Sequence, residues 1–157
     1  MPDKTSVSSS KLLIEKQKSV LNVILPDTDL FEKARMLQNE AAKHGFDWPS
    51  VDPVFEKLKE EIAELKEEIT AAFQSPQVSD FHRKRMQDEL GDVLFCCVNL
   101  ARFMGVNASE ALHGTNEKFE RRFRFIESRA LEKGKALASM SLEELDQIWD
   151  EAKTHGF

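Results

Sequence analysis

The sequence predicts an all-α fold, a helical bundle of about four to five helices. Apolar residues recur at three- and four-residue spacings through most of the chain. No segment shows the strict alternation of a half-buried strand. Asp, Asn and Ser stand where periodic runs begin, and Gly where they end, as helix start and stop signals do. With 157 residues, the chain suits one domain with a real core.

Residues 1–10 are Ser-rich and read as a loose tail. Lys11–Leu25 has partial helical periodicity, which Pro26 interrupts. Residues 1–27 are therefore expected to be an extension, and 28–157 the folded domain. The first steady helix is expected from Asp29, as N-cap, to about Lys43, with Gly45 as its stop. The connector Gly45-Phe46-Asp47-Trp48-Pro49 is aromatic and turn-rich. Trp48 and Phe46 fit either a turn beside a pocket or a plug over the bundle end.

A second helix is expected from Asp52 as N-cap, with Pro53 in its first turn. Its apolar stripe reads Val54, Leu58, Ile62, Leu65, Ile69, Phe73. After a loop over Gln74–Asp80, a third helix spans about Phe81–Met104. Its second half is apolar nearly all round, which predicts burial within the bundle or against a partner subunit. Asn107-Ala-Ser-Glu110 resembles a capping box for a fourth helix running to about Lys133-Gly134. In it Leu112, Phe119 and Ile126 recur every seven residues. Ser141-Leu-Glu-Glu144 is a second box and starts a last helix carrying Leu145, Ile148, Trp149 and Ala152.

Composition excludes several classes of function. The formal charge of −6 argues against general nucleic-acid binding. Cys96 and Cys97 are adjacent and supply no disulfide framework, which fits a reducing compartment. No stretch has the roughly 18 apolar residues of a membrane span, and the N-terminus lacks an apolar leader. A cytoplasmic protein with no membrane partner is expected. There is no Gly-x-x-x-x-Gly-Lys phosphate loop.

The chemistry concentrates in the carboxylates. At about 100° per residue, Glu61 and Glu68 border the apolar stripe of the second helix, with Glu64 slightly further round. Glu60 and Glu67 turn toward solvent, and Glu60, Glu67 and Glu68 read as solvated surface. On the third helix Glu89, Asp92, Cys96 and Asn99 form one stripe. Antiparallel packing would bring Glu61 and Glu64 toward Glu89 and Asp92. So much like charge is costly unless cations neutralise it. Mg²⁺ is the natural ion for an all-oxygen site, with Mn²⁺ as a substitute.

Glu60-Glu61-x-x-Glu64 followed by Glu89-x-x-Asp92 resembles the EExxE…ExxD signature of the all-α nucleoside triphosphate pyrophosphohydrolases. Gly45-Phe46-Asp47-Trp48-Pro49, Glu89-Leu90-Gly91-Asp92-Val93-Leu94-Phe95 and Asn116-Glu117-Lys118-Phe119-Glu120-Arg121-Arg122-Phe123-Arg124 are similar to the MazG catalytic domain, and the resemblance covers about residues 28–153. It implies an all-α NTP pyrophosphatase fold, assembled as a homodimer or higher homo-oligomer. It implies Mg²⁺-dependent hydrolysis of nucleoside triphosphates to monophosphate and pyrophosphate, for nucleotide-pool control. Glu61, Glu64, Glu89 and Asp92 carry over as metal ligands, and Lys118 and Arg122 as phosphate contacts. Trp149 carries over as a nucleotide-pocket residue. Two features depart from the pattern: the stretch around Ala72–Arg85 is long, and Glu40 stands where a basic or neutral residue is expected.

The residues suit these roles. Lys118 and Arg122 share a helix face and match a polyphosphate; the alternative for them is salt bridging with Glu117 and Glu120. Arg121, Arg124 and Arg129 are read as such surface pairs. Trp149 offers a stacking face, or a core position. Asn99, in apolar surroundings, needs a hydrogen-bond partner, and either reads a base edge or ties two helices. Attack on the α-phosphorus by a metal-bound or Glu-activated water is expected, with Glu61 or Glu64 as the candidate base and with Lys118 and Arg122 stabilising the leaving pyrophosphate. Competing readings are a dUTP- or dCTP-type pyrophosphatase, a non-catalytic helical interaction module, and a di-iron bundle. For the last, only Glu110-x-x-His113 is available.

Overall fold

A computed structural model describes residues 19–74 and 77–156 of the chain. The expected tail over 1–10, and the partly periodic stretch as far as residue 18, lie outside the described residues. Within them Val20–Val23 form a 3₁₀ turn. Five α-helices follow: α1 Leu30–Lys43, α2 Asp52–Phe73, α3 Asp80–Phe103, α4 Ala108–Glu132 and α5 Leu142–Thr154. A second 3₁₀ turn, Leu137–Ser139, precedes α5. The described residues contain no strand, so the fold is all-α as expected.

Local chemistry explains the boundaries. The Asp29 carboxylate accepts from the Phe31 and Glu32 N–H groups at 3.1 Å and starts α1. Ser141 and Glu144 form the full reciprocal capping box of α5. Gly45 takes a φ of 82° after α1, a conformation open to glycine at little cost. Two boundaries correct the expectation. Val51, not Asp52, is the N-cap of α2; Asp52 is already helical and makes no side-chain cap, with Pro53 beside it. Helix α3 begins at Asp80, because the Ser79 hydroxyl accepts from the His82 N–H at 3.3 Å. The long stretch between the acidic motifs is thus mostly helix.

The chain divides into two compact units, one through Ala108 and one from Ser109. In the second, Ile126, Ala130, Met140 and Ile148 form a buried core, flanked by Phe125, Leu137, Leu145 and Trp149. The expected seven-residue stripe of α4 is buried only at its end: Leu112 and Phe119 are exposed, and Ile126 is covered.

In the first unit, α2 and α3 form an antiparallel hairpin, with α1 packed on α3. The sense follows from the pairs: Glu68 meets Arg85, and Glu61 meets Glu89 and Asp92. Among the covered positions of α2 are Val54, Leu58, Glu61, Leu65, Glu68 and Ala72, and among those of α3 are His82, Met86, Glu89, Val93, Cys96 and Leu100. Both sets step alternately by four and three residues, the seam of a coiled-coil-like helix pair. The expected α2 stripe is therefore rotated. Ile62 and Phe73 are 49% and 72% exposed, while Glu61 is 6% exposed. The apolar half of α3 is covered by α2 and α1 but not all round: Cys96, Val98, Leu100 and Ala101 are buried, and Leu94, Phe95 and Met104 are exposed.

Candidate metal centre and adjoining cavity

The rotated seam sets carboxylates face to face. Glu61, Glu89 and Asp92 each offer an oxygen within 4.8 Å of the others. Glu61 is buried, Glu89 partly covered and Asp92 exposed. Glu64, one turn from Glu61, lies outside this trio and is exposed. Its carboxyl is nevertheless pushed above the ordinary glutamate value, first by lost hydration and then by the charges of Glu61 and Glu89. Glu64 thus senses the negative field of the cluster.

Two cations stand at its edge. The Lys57 ammonium is 2.8 Å from both Glu60 and Glu61 and is held above its usual range by them. Arg85 donates from Nε to Glu68 at 2.6 Å and lies 3.9 Å from Glu89. Glu68 is therefore not solvated surface. The antiparallel turn brings Arg85 and His82 across it, and only 17% of its side chain is exposed. Glu60, by contrast, is exposed as expected. Burial, then the charge of Glu61, pushes the Cys96 thiol up, so it stays protonated at the foot of the cluster.

The donor set tests which ion fits. Three carboxylates supply hard oxygen donors. Such a set suits a divalent cation of the Mg²⁺ type. The trio contains no histidine. His113 is 73% exposed on its side chain and faces Glu117 at 3.4 Å, and among the described residues it joins no group of potential metal ligands.

Beyond the carboxylates on α3 lies a cavity of about 500 Å³ lined by Gln38, Phe46, Trp48, Phe95 and Asn99 among others. The aromatic turn borders this cavity rather than plugging the bundle, and Phe46 is 84% exposed. Arg102 fastens the turn, donating to both Asp47 oxygens and, at 2.9 Å from Nε, to Asn99 Oδ1. Asn99 thereby finds the partner its setting demands. Gln38 donates from Nε2 to the Phe95 carbonyl at 2.9 Å.

Lys118, Arg122 and Trp149 belong to the second unit. Arg122 lies over the Trp149 ring at 5.4 Å and Phe119 tilts against it at 5.3 Å. Glu120 is taken by Arg124, while His113 and Arg121 reach Glu117. Arg129 pairs with Glu132 and Glu151 as expected, though it is partly covered and not a surface cation. Glu40 is satisfied locally by Lys43 at 2.6 Å and His44 at 3.5 Å.

Sequence reasoning gave no role to Lys57 or Arg85, and none to Gln38 although Leu37-Gln38 is part of the family resemblance. Lys57 stands four residues before Glu61, a spacing that pairs charges on a helix, so it was discoverable. Gln38 carries no periodic signal. Arg85 acquires its role only when the hairpin closes.

Residues 50–125 match the MazG nucleotide pyrophosphohydrolase domain. That span contains all four carboxylates, Lys118 and Arg122, and excludes Gln38 and Trp149. The chain is 37% identical over 137 residues to a nucleoside triphosphate pyrophosphohydrolase of Escherichia coli K12, covering 87% of this chain and 49% of that protein. It is 34% identical over 139 residues to a nucleoside triphosphate pyrophosphohydrolase/pyrophosphatase MazG of Thermotoga maritima, covering 88% and 50%. A Bacillus subtilis protein, the uncharacterized YabN, is 51% identical over 72 residues, covering 46% of this chain and 15% of that one. The chain spans about half the length of the two pyrophosphohydrolases it matches.

Proposed function

The chain belongs to the MazG nucleotide pyrophosphohydrolase family, and from that premise we propose that it hydrolyses nucleoside triphosphates to the monophosphate and pyrophosphate with Mg²⁺. The observation that carries this reading is the convergence of Glu61, Glu89 and Asp92 within 4.8 Å inside the matched segment. These three would hold the ion, with Glu64 beside them; Mn²⁺ is a chemically suited substitute. When bound, the ion supplies charge neutralisation at the phosphates and a lowered pKa for water.

The chain's own residues do the rest. Water attacks the α-phosphorus, its proton passes to a glutamate, and the bond to the bridging oxygen of the β-phosphate breaks. Pyrophosphate leaves with that oxygen. Glu64 is suited to accept the proton, since lost hydration first, and then the charges of Glu61 and Glu89, raise its affinity for one. Lys118 and Arg122 bind the departing phosphates, where positive charge counts most as negative charge accumulates. Trp149, held by Phe119, and Asn99 contact the nucleoside.

We assign the working form to a homodimer or higher homo-oligomer, because Ile62, Ile69, Phe73, Leu90 and Leu94 leave apolar surface open on the hairpin. No described helix is long and apolar enough to cross a membrane, and both cysteines are free. We place the reaction in the cytoplasm.

Incubation with Mg²⁺ and a panel of ordinary and modified triphosphates tests the proposal. Pyrophosphate release from several nucleotides supports it. Release from deoxyuridine or deoxycytidine triphosphate alone narrows it to the specialised enzyme. No release from any nucleotide points to a scaffold instead.

A further inference from the structure

We propose that Lys57 is the resident counter-ion of the carboxylate trio, holding Glu61 in the metal-free chain and passing to Glu60 when a divalent cation takes its place. The proposal rests on the metal-centre reading and is independent of which nucleotide is cleaved.

The position of the ammonium carries it. Lys57 Nζ stands 2.8 Å from Glu60 and 2.8 Å from Glu61. The two partners differ in setting: 56% of the Glu60 side chain is exposed, against 7% of that of Glu61. Glu61 is a member of the trio and Glu60 is not. A carboxylate covered as deeply as Glu61 needs a positive partner. Lys57 supplies one in the chain alone, and a divalent cation on Glu61 would supply another. An ammonium and a divalent ion repel at such short range, so the two cannot share the carboxylate closely. Metal binding and the Lys57–Glu61 pair therefore compete.

Glu60 gives the displaced ammonium a seat. Glu60 and Glu61 lie three and four residues after Lys57, so both are reached on one helix face. Lys57 can leave Glu61 and keep Glu60 by rotating its own side-chain bonds, with no movement of the backbone. The shift leads outward, toward solvent, which suits a strongly hydrated ammonium. Arg85, the other cation at the edge, already has the corresponding arrangement. Its Nε donates to Glu68 at 2.6 Å, outside the trio, and it stands 3.9 Å from Glu89. Lys57 is thus the cation that an incoming ion must displace, and the exposed Glu60 acquires a role in the acidic motif.

Calorimetric titration of the full chain with magnesium chloride at neutral pH tests this without any nucleotide. Lys57→Met should bind Mg²⁺ about fivefold more tightly than the parent, the scale of one partly exposed ion pair. Lys57→Arg keeps the charge and should stay within about twofold of the parent. Glu60→Gln should weaken binding about threefold in the parent, where Lys57 then has only Glu61, and hardly at all in the Lys57→Met background. Lys57→Gln carries the test if Lys57→Met loses its helical circular dichroism. Unchanged or weaker binding in Lys57→Met would overturn the exchange. So would an equal loss from Glu60→Gln in both backgrounds, which would mark Glu60 as a distant charge only. A parent chain that binds no Mg²⁺ would remove the metal centre and the exchange together. A parent that binds Mg²⁺, with no gain in Lys57→Met, would remove the exchange alone.

Discussion

Glu61 is sealed against α3 at 6% exposure while Ile62, its neighbour in the chain, stands 49% open. Packing alone would reverse that order, since burying a carboxylate costs far more than exposing an isoleucine. The inversion identifies the α2–α3 seam as a site built for charge. Glu61→Leu should therefore raise the stability of the metal-free chain, by about 1 kcal/mol, as replacement of buried ions by apolar groups often does. Mg²⁺ should raise the melting temperature of the parent chain and leave that of Glu61→Leu unchanged. Thermal melts with and without the ion check both halves.

Acid should compete with the metal. The folded chain raises the Glu64 carboxyl above its ordinary value, so the folded state holds the proton more tightly than the unfolded chain. The stability contributed by that protonation is present at low pH and lost as pH rises through the raised value. Metal binding needs the ionised form. Affinity for Mg²⁺ should thus fall on acidification, beginning above the usual glutamate range, and Glu64→Gln should shift the onset downward. Calorimetric titration of Mg²⁺ across the acid range measures it.

The Asp47–Arg102 pair should hold the aromatic turn. Hydrogen bonds from Arg102 come first among the causes that keep the Asp47 carboxyl below its ordinary value. A depressed carboxyl contributes stability above its unfolded value and loses it as pH falls through the folded one. Arg102→Met should cost about 1 kcal/mol, a modest figure for a partly exposed pair. It should also flatten the stability profile at the acid end. Denaturant titrations at neutral and acid pH distinguish this from a simple packing loss.

How far the sequence carried depends on the kind of information each feature needs. The helices and the caps at Asp29 and Ser141 were legible because they are local: a side chain, two backbone N–H groups and a 3.6-residue period. The rotation of α2 was not. Ile62, Ile69 and Phe73 extend a regular apolar spacing that outweighs Glu61 and Glu68 on any hydrophobicity count. The pairs that accompany the covered carboxylates, Lys57 with Glu61 on α2 itself and Arg85 with Glu68 across the hairpin, do not enter such a count. The convergence of Glu61, Glu89 and Asp92 followed from antiparallel packing and could be expected, and the place of Glu64 slightly further round the helix agrees with its lying outside that trio. Gln38 finds its partner in the Phe95 carbonyl, 57 residues away, which no local pattern signals. Asp47 and Arg102, 55 residues apart, are alike in this.

Lys118 and Arg122 should act on the phosphates and not on the ion. Lys118→Met should lower turnover about a hundredfold, the scale of losing one positioned charge in a transition state. Its Mg²⁺ affinity should match that of the parent chain. Steady-state kinetics paired with metal titration separate the two effects.

The dependence of pyrophosphate release on Mg²⁺, measured for the parent chain and for Asp92→Asn, tests the central claim most directly. A saturable rise with Mg²⁺ is expected in the parent. In the variant a loss of at least about a hundredfold is expected, with helical circular dichroism retained. Undiminished release in EDTA, or from Asp92→Asn at ordinary Mg²⁺, would contradict the assignment of these carboxylates to a catalytic metal.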